Sequence, residues 1–423
     1  MPSLLDLPPE LLALIMRFTW WRFRDDDLGE RNETLLRLMV TCSGLRTLAT
    51  EVLYEEVSCR RNEPVGWYKE DSTASSWPRE DGAESEEGDE MHWRYFERVE
   101  GAIEQLGVDR SYQPSTFDDP AYDWHEVGRF VRAAASSGLG GKTRVLELVE
   151  RPGAESTPPM DLLLWQQLGE ACPNVTHVYL QRVCLRNLGP LEQFTRLRRL
   201  TLVYVNVYQQ TPVAFPELEV LVFVRCMVDR PATTLLSFLG PKLRILFLRG
   251  SGYACSTSAL DAAVNAFLDA GTAVILDEAS LCNRLSARTD KLLLGLRPTA
   301  YHPNKIAGTS LSSFDLVENV QHIRLDTEAV ARSASWFEYS DWTGFDAFAE
   351  TLQQGFAPQL KKLYVEPHRF EYGGMHTAFS SLKRTCDARG VEMVYLDEEM
   401  DDSRGWVFCE EFLRDVGVVL ADG

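Results

Sequence analysis

The chain has no basic excess. Its 423 residues hold 43 Lys and Arg against 63 Asp and Glu, a formal net charge of −20. A field of that sign repels phosphate backbones and anionic lipid, which argues against nucleic acid or a membrane surface as partner and favours basic protein surfaces. There is no C-x-x-C pair either. Nine cysteines (Cys42, Cys59, Cys172, Cys184, Cys226, Cys255, Cys282, Cys386 and Cys409) lie scattered, as reduced thiols packed like small hydrophobes do in cytosolic or nuclear proteins. No apolar run approaches the length of a membrane span. The opening MPSLLDLPPELLALIM carries Asp6 and Glu10 and no base before Arg17, the wrong polarity for a secretory signal. The expectation is a soluble chain of the cytoplasm, the nucleus or both. With 45% hydrophobic and 25% charged residues it has the composition of a globular protein with a sizeable core.

Constellations for chemistry are equally sparse. SSGLGGKT, residues 136–143, has glycines like a phosphate loop, but Ser136 stands where the pattern needs its first Gly and no strong strand precedes it. DWHEVGRF begins like a zinc-protease helix, yet Arg129 occupies the place of the second His. Asp25, Asp26 and Asp27 read as a solvated loop. His92, His125, His177, His302, His322, His368 and His376 make no ligand spacing with cysteine. No catalytic residue, metal or cofactor is expected, and the chain does not read as an enzyme.

A repeat is present instead. A template of apolar residues at positions 1, 4, 6, 9 and 11 is filled by Val175, Val178, Leu180, Val183 and Leu185. Leu197, Leu200, Leu202, Val205 and Val207 fill it again, as do Leu218, Leu221, Phe223, Cys226 and Val228. The first three places recur at Leu243, Leu246 and Leu248, at Leu360, Leu363 and Val365, and at Val391, Val394 and Leu396. Weaker members are Leu146 with Leu148, Val274 with Leu276, and Val320, Ile323 and Leu325. Central steps of 22, 21, 25 and 28 residues match the period of leucine-rich repeats, in which one short strand and its return segment bury their apolar face only by stacking on neighbours. Pro173, Pro216, Pro241 and Pro358 precede position 1 by two residues, where the missing N–H does no harm to a starting strand. A doubly wound sheet also reads as apolar runs, but a strand with a full crossover helix needs roughly 30 residues. The fold expected is α/β, a curved solenoid of parallel strands over 144–400. One step of 49 residues implies an insertion or an unrecognised repeat near KLLLGLRPTAYHPN.

Strand side chains alternate, so positions 3, 5 and 7 share the opposite, concave face. At its ends these are His177, Tyr179 and Gln181, then His322, Arg324 and Asp326, then Lys362, Tyr364 and Glu366. In the middle they are Val203, Val220, Val222, Val224, Ile245, Phe247 and Ile275. An apolar patch of that kind marks a binding surface unless the chain itself covers it. Both readings stand, with the Trp-rich stretch 91–135 as the internal candidate. As a binding surface it makes His177, Tyr179, Val222, Val224, Ile245, Phe247, Arg324 and Tyr364 the candidate contacts.

The N-terminal sixty residues differ. LPPELLALIMRF reads as a helix start, with Pro8 and Pro9 fixing φ, Glu10 at the positive end of the dipole, and a stripe of Leu11, Leu14, Ile15 and Phe18. ETLLRLMVTC and SGLRTLATEVLYEEV give two more helices, the latter apolar at Leu45, Leu48, Ala49, Val52 and Leu53. Three short helices carry more apolar surface than so small a unit can hide, which predicts a partner.

These residues resemble an F-box. Leu7, Pro8, Glu10, Leu11 and Ile15 match the family's opening, and Leu36, Leu38, Val40, Cys42, Leu45, Leu48 and Ala49 match its second half. VLYEEV is similar to the exit of fungal members, and residues 3–58 are covered. Two features depart from the pattern: TWWRFRDDDLGERN is a longer connection than usual, and Leu45 stands where an aromatic is common. An F-box followed by degenerate leucine-rich repeats is a familiar combination. The resemblance implies a substrate receptor of an SCF-type ubiquitin ligase. Its helices would bind a Skp-family adaptor and through it cullin and RING subunits, while the repeats hold the protein to be ubiquitylated. Leu7, Pro8, Glu10, Leu11, Ile15, Leu38, Val40, Cys42 and Leu45 would make the adaptor contacts. The alternative is a repeat scaffold without ubiquitin transfer. The domain plan is then a helical module over 1–60, an acidic linker over 61–90, a helical connector capping the first repeat over 91–143, the solenoid, and an acidic tail over 401–423.

Overall fold

The computed structural model describes residues 12, 48–50, 52, 54–60, 124–150, 160–185, 187–207, 213–228, 231–249, 257–277, 289–296, 305–306, 309–310, 319–325, 343–365, 375–396 and 409–418. The chain divides into two compact units, Met1–Cys184 and Leu185–Gly423. Both are α/β with parallel sheets. Among the described residues no helix is long and apolar enough to cross a membrane.

In the first unit, β1 (Glu56–Arg60), β2 (Val145–Val149) and β3 (His177–Gln181) pair in parallel and in sequence order. Helices α1 (His125–Ser137) and α2 (Leu162–Ala171) return the chain between them. The template positions Leu146, Leu148, Val178 and Leu180 are buried, together with Val127, Val131 and Ala134 of α1 and Trp165 and Leu168 of α2. Asp161 caps α2, its carboxylate accepting from the Leu163 N–H at 3.1 Å, as a short acid at this place does. Residues 48–50, 52, 54 and 55 are helical, with Ala49 and Val52 buried. The Tyr54 ring meets Phe130 of α1 at 6.1 Å.

Two boundaries move. Residues 56–60, read as the exit of the N-terminal module, form the first strand of the sheet, Glu56 beside Val145. Residues 125–137, read as a cap, are the return helix between β1 and β2. Sequence distance hides this pairing, because the partners are separated by the acidic stretch. The linker 61–90 lies outside the described residues.

The Gly-rich stretch after α1 serves packing. Gly138 closes the helix at φ 69°, and a short 3-10 turn follows at Leu139–Lys142. A side-chain carbon on Gly140 would lie 2.1 Å from the Ala171 carbonyl oxygen. The glycine lets the end of α2 approach the turn.

In the second unit the strands are β5 (Arg199–Val203), β7 (Val220–Val224), β9 (Ile245–Arg249), β10 (Ala273–Asp277), β11 (Leu292–Leu296), β14 (His322–Leu325), β15 (Lys362–Val365) and β16 (Glu392–Tyr395). Each pairs in parallel with the next. With right-handed crossovers, an order that follows the sequence without reversal sends every return segment to one face. It also lacks the reversal of strand order that makes a nucleotide crevice in doubly wound sheets. The return helices are α3 (Pro231–Ser237), α4 (Thr257–Asp269), α5 (Thr343–Gln353) and α6 (Met375–Arg389). The template side chains described between Leu197 and Leu363 are buried, with Phe238 stacked on Phe215 at 5.4 Å and edge-on to Phe223 at 5.8 Å.

The 49-residue step holds one further strand. β11 sits between β10 and β14, and pairing passes from Leu276 through Leu294 to Ile323, a slip of two places that keeps the same side chains inward. A short antiparallel pair, β12 (Lys305–Ile306) and β13 (Thr309–Ser310), follows it. β16 departs from the template: Met393, not Val394, lies beside Leu363.

Two-residue strands follow three of the longer ones: β4 (Cys184–Leu185), β6 (Asn206–Val207) and β8 (Met227–Val228). The corner before each is a non-glycine residue in the left-handed region, Arg182, Tyr204 and Arg225 at φ 61°, 52° and 48°. Each costs about 1 kcal/mol against glycine. Recurrence at one repeat position shows a feature of the unit rather than an accident.

Candidate functional site

Positions 3, 5 and 7 of the strands form the face considered for a client. On β3 the His177 ring nitrogen lies 2.8 Å from the Thr176 hydroxyl, and the Tyr179 hydroxyl donates to Gln181 at 3.1 Å. His177 and Gln181 are half-buried and Tyr179 is buried. On β3 these positions are polar and partly open.

The apolar middle is not an open surface. Val222 and Ile245 are fully buried, Phe247 is 2% exposed, and Val203, Val220, Val224 and Ile275 are buried as well. Of the two readings of this patch, open surface or covered by the chain, Val222, Val224, Ile245 and Phe247 follow the second: they belong to the interior. Loss of alternation reports two apolar faces, and sequence alone does not say that the second face is covered.

At β14 and β15 the covering element is visible. Helix α7 (Glu410–Asp415) lies over His322 and Tyr364. The Phe412 ring stands edge-on to His322 at 5.3 Å and to Tyr364 at 6.3 Å. The Tyr364 hydroxyl donates to Asp415 Oδ2 at 2.7 Å and Lys362 Nζ donates to the same oxygen at 2.8 Å. His322 Nδ1 lies 3.2 Å from the Tyr364 hydroxyl, and Lys362 also approaches Glu392 at 3.4 Å. Phe412, Leu413, Cys409 and Val418 are buried. Residues 409–418 thus hold a docked helix, Glu410–Asp415, where composition reads an acidic tail. Arg324, half-buried, sits close enough to Cys409 to act on its thiol.

The chain matches no protein-family model and no curated protein.

Electrostatics at the site follow burial. Burial lowers the His322 pKa, with Asp415 opposing. Burial alone would raise Asp415, but hydrogen bonds from Lys362 and Tyr364 outweigh it and hold the carboxyl below its usual range. The bond to Asp415 raises Lys362, and burial raises Tyr364. Tyr364 is a neutral donor, Lys362 a cation and Asp415 an anion at neutral pH, a seat for one carboxylate.

Among the described residues no cluster of His, Cys, Asp or Glu suits a metal ion. Burial raises the Cys172 and Cys386 thiols to about 11 and Cys226 and Cys409 to about 12, far from the values of nucleophiles. Leu7, Pro8, Glu10, Leu11, Ile15, Leu38, Val40, Cys42 and Leu45 lie outside the described residues. Phe412 and Asp415 escaped the sequence reading. Their signal was the apolar pair Phe412 and Leu413 inside EEFLRD.

Proposed function

We propose that this chain is the substrate receptor of an SCF-type ubiquitin ligase, acting in cytoplasm, nucleus or both. The observation that carries the reading is the order of apolar anchors in residues 3–58, Leu7, Pro8, Leu11 and Ile15 followed by Leu38, Val40 and Cys42. Support comes from the sheet C-terminal to that motif, whose parallel strands are taken in sequence order, the arrangement a leucine-rich-repeat solenoid requires. The N-terminal helices would hold a Skp-family adaptor, with cullin and RING subunits beyond it. The repeat region would hold the client. Chemistry then belongs to the recruited conjugating enzyme, and the chain contributes proximity and orientation.

The test is affinity purification of the intact chain beside a Leu11→Ala/Ile15→Ala variant, followed by mass spectrometry. Adaptor and cullin are expected with the intact chain and lost from the variant, at about 2 kcal/mol per anchor. Adaptor without cullin would replace ligase receptor by scaffold, and no adaptor at all would end the F-box reading.

A further inference from the structure

Helix α7 has the contacts of a bound ligand. Six residues are too few to hold a helix by themselves in water, so its form depends on the sheet face beneath. Phe412 and Asp415 are three apart and share one side of the helix. The ring enters a seat made by His322 and Tyr364, and the carboxylate meets two donors converging on one oxygen, Lys362 Nζ and the Tyr364 hydroxyl. Leu413, next to the ring, is buried as well. The seat belongs to β14 and β15, whose outer positions 3 and 5 are polar, where those of β7, β9 and β10 (Val220, Val222, Ile245, Phe247, Ala273 and Ile275) are apolar and charge returns only at Arg249 and Asp277. A buried tyrosine, a lysine and a histidine at adjoining positions of neighbouring strands contribute little to a core, but they fit an acidic, aromatic segment.

We propose that the β14–β15 face is a client-binding site for a short helix bearing an aromatic residue, an aliphatic residue next to it and a carboxylate three places after the aromatic, and that α7 occupies this site until such a segment displaces it. The chain is its own first ligand. The proposal rests on the reading of the strand face as the client surface. It does not depend on the adaptor contact, and its experiment uses no adaptor, so the two readings fail separately.

Displacement has a definite scale. A tethered segment competes at an effective concentration of about 1 mM. A free segment that binds the vacated seat at about 10 μM would then bind the intact chain about 100-fold more weakly.

The experiment uses a fluorescein-labelled peptide of residues 405–423 and fluorescence anisotropy. It is titrated with the intact chain and with a chain ending at residue 404. The expected result is saturable binding to the shortened chain and at least tenfold weaker binding to the intact one. Phe412→Ala or Asp415→Asn in the peptide should each weaken binding at least tenfold, and Lys362→Met in the shortened chain should reduce the sensitivity to Asp415→Asn, the Tyr364 hydroxyl keeping the rest. Equal affinity for both chains overturns the proposal, as does a shortened chain that keeps its circular dichroism and melting transition yet does not bind. If the shortened chain does not fold, the full chain carrying Phe412→Ala/Asp415→Asn replaces it. Binding of the natural peptide by that folded variant no better than by the unaltered chain also overturns the proposal. Failure of both variants to fold does so too, because a segment that clients displace cannot be indispensable to the fold.

Discussion

The Cys226 thiol donates to the Leu202 carbonyl across 3.2 Å, from one repeat to the one before it. Cys226 occupies template position 9, where leucine-rich repeats usually carry Asn or Cys, and it is fully buried. The bond gives a partner to a carbonyl of β5 at the corner where the chain leaves the sheet. Cys226→Ala should lower unfolding free energy by about 1–2 kcal/mol, from one hydrogen bond and a small cavity. Urea denaturation measures it. Because burial holds this thiol at about 12, iodoacetamide at pH 8 should leave Cys226 unmodified in the folded chain and label it after unfolding, as peptide mapping would read.

Arg389 ties two return segments together. Its guanidinium donates to the carbonyls of Leu352, Phe356 and Ala357 at 2.9, 2.7 and 2.7 Å, closing the end of α5. Arg389→Ala leaves these carbonyls without their cation and should cost about 2–3 kcal/mol. Arg389→Lys should recover less than half, since one ammonium cannot reach three diverging oxygens. Both are read from chemical denaturation.

Acid should loosen α7. His322 has its folded pKa below the ordinary 6.5 and Asp415 below 3.8. In both cases the unfolded state binds protons more readily, so stability is full above the ordinary pKa and falls as pH drops through the folded one. The histidine acts first, below about pH 6.5, the carboxylate only in stronger acid. Lys362, Lys361 and Asp290 also act on His322, but lysine and aspartate side chains do not ordinarily titrate in this range. Amide hydrogen exchange at Leu413 should therefore quicken from pH 7.5 to 5.5 beyond its intrinsic pH dependence. His322→Gln should remove that excess.

Gly140 and Gly141 should separate packing from phosphate binding. Gly140→Ala forces a carbon against the Ala171 carbonyl at 2.1 Å, whereas at Gly141 the nearest atom is Asn174 Nδ2 at 3.9 Å. Thermal melts should show Gly140→Ala destabilised by about 2 kcal/mol or more and Gly141→Ala within about 1 kcal/mol of the parent. Equal effects would contradict the close approach.

The inward set was readable because a period of two over five residues, punctuated by proline, leaves few other solutions. Leu200, Leu221, Leu246 and Val274 lie side by side as their spacing implies. β11 was harder to see, since Leu292, Leu293, Leu294 and Leu296 are apolar on both faces and give no alternation to read. β16 misled by one place because Val391, Val394 and Leu396 mimic the template at the sheet edge, where half-buried positions constrain the pattern weakly. The site divided in the same way. Tyr364 and Arg324 lie side by side, as strand alternation implies, but their neighbour α7 comes from a stretch whose acids outweigh Phe412 and Leu413 in any composition count. Covering of Val222 and Phe247 is a tertiary event that no local pattern records.

The pairing of Glu56 with Val145 has a mechanical consequence. Closing so long a loop costs about 1 kcal/mol more than joining Leu200 to Leu221. Among the described residues β1 is also the outermost ribbon of its sheet, paired along one side only. A pull on the helical residues 48–50, 52, 54 and 55 that lead into this ribbon should peel it away first, opening like a zip fastener while β2 and β3 stay joined.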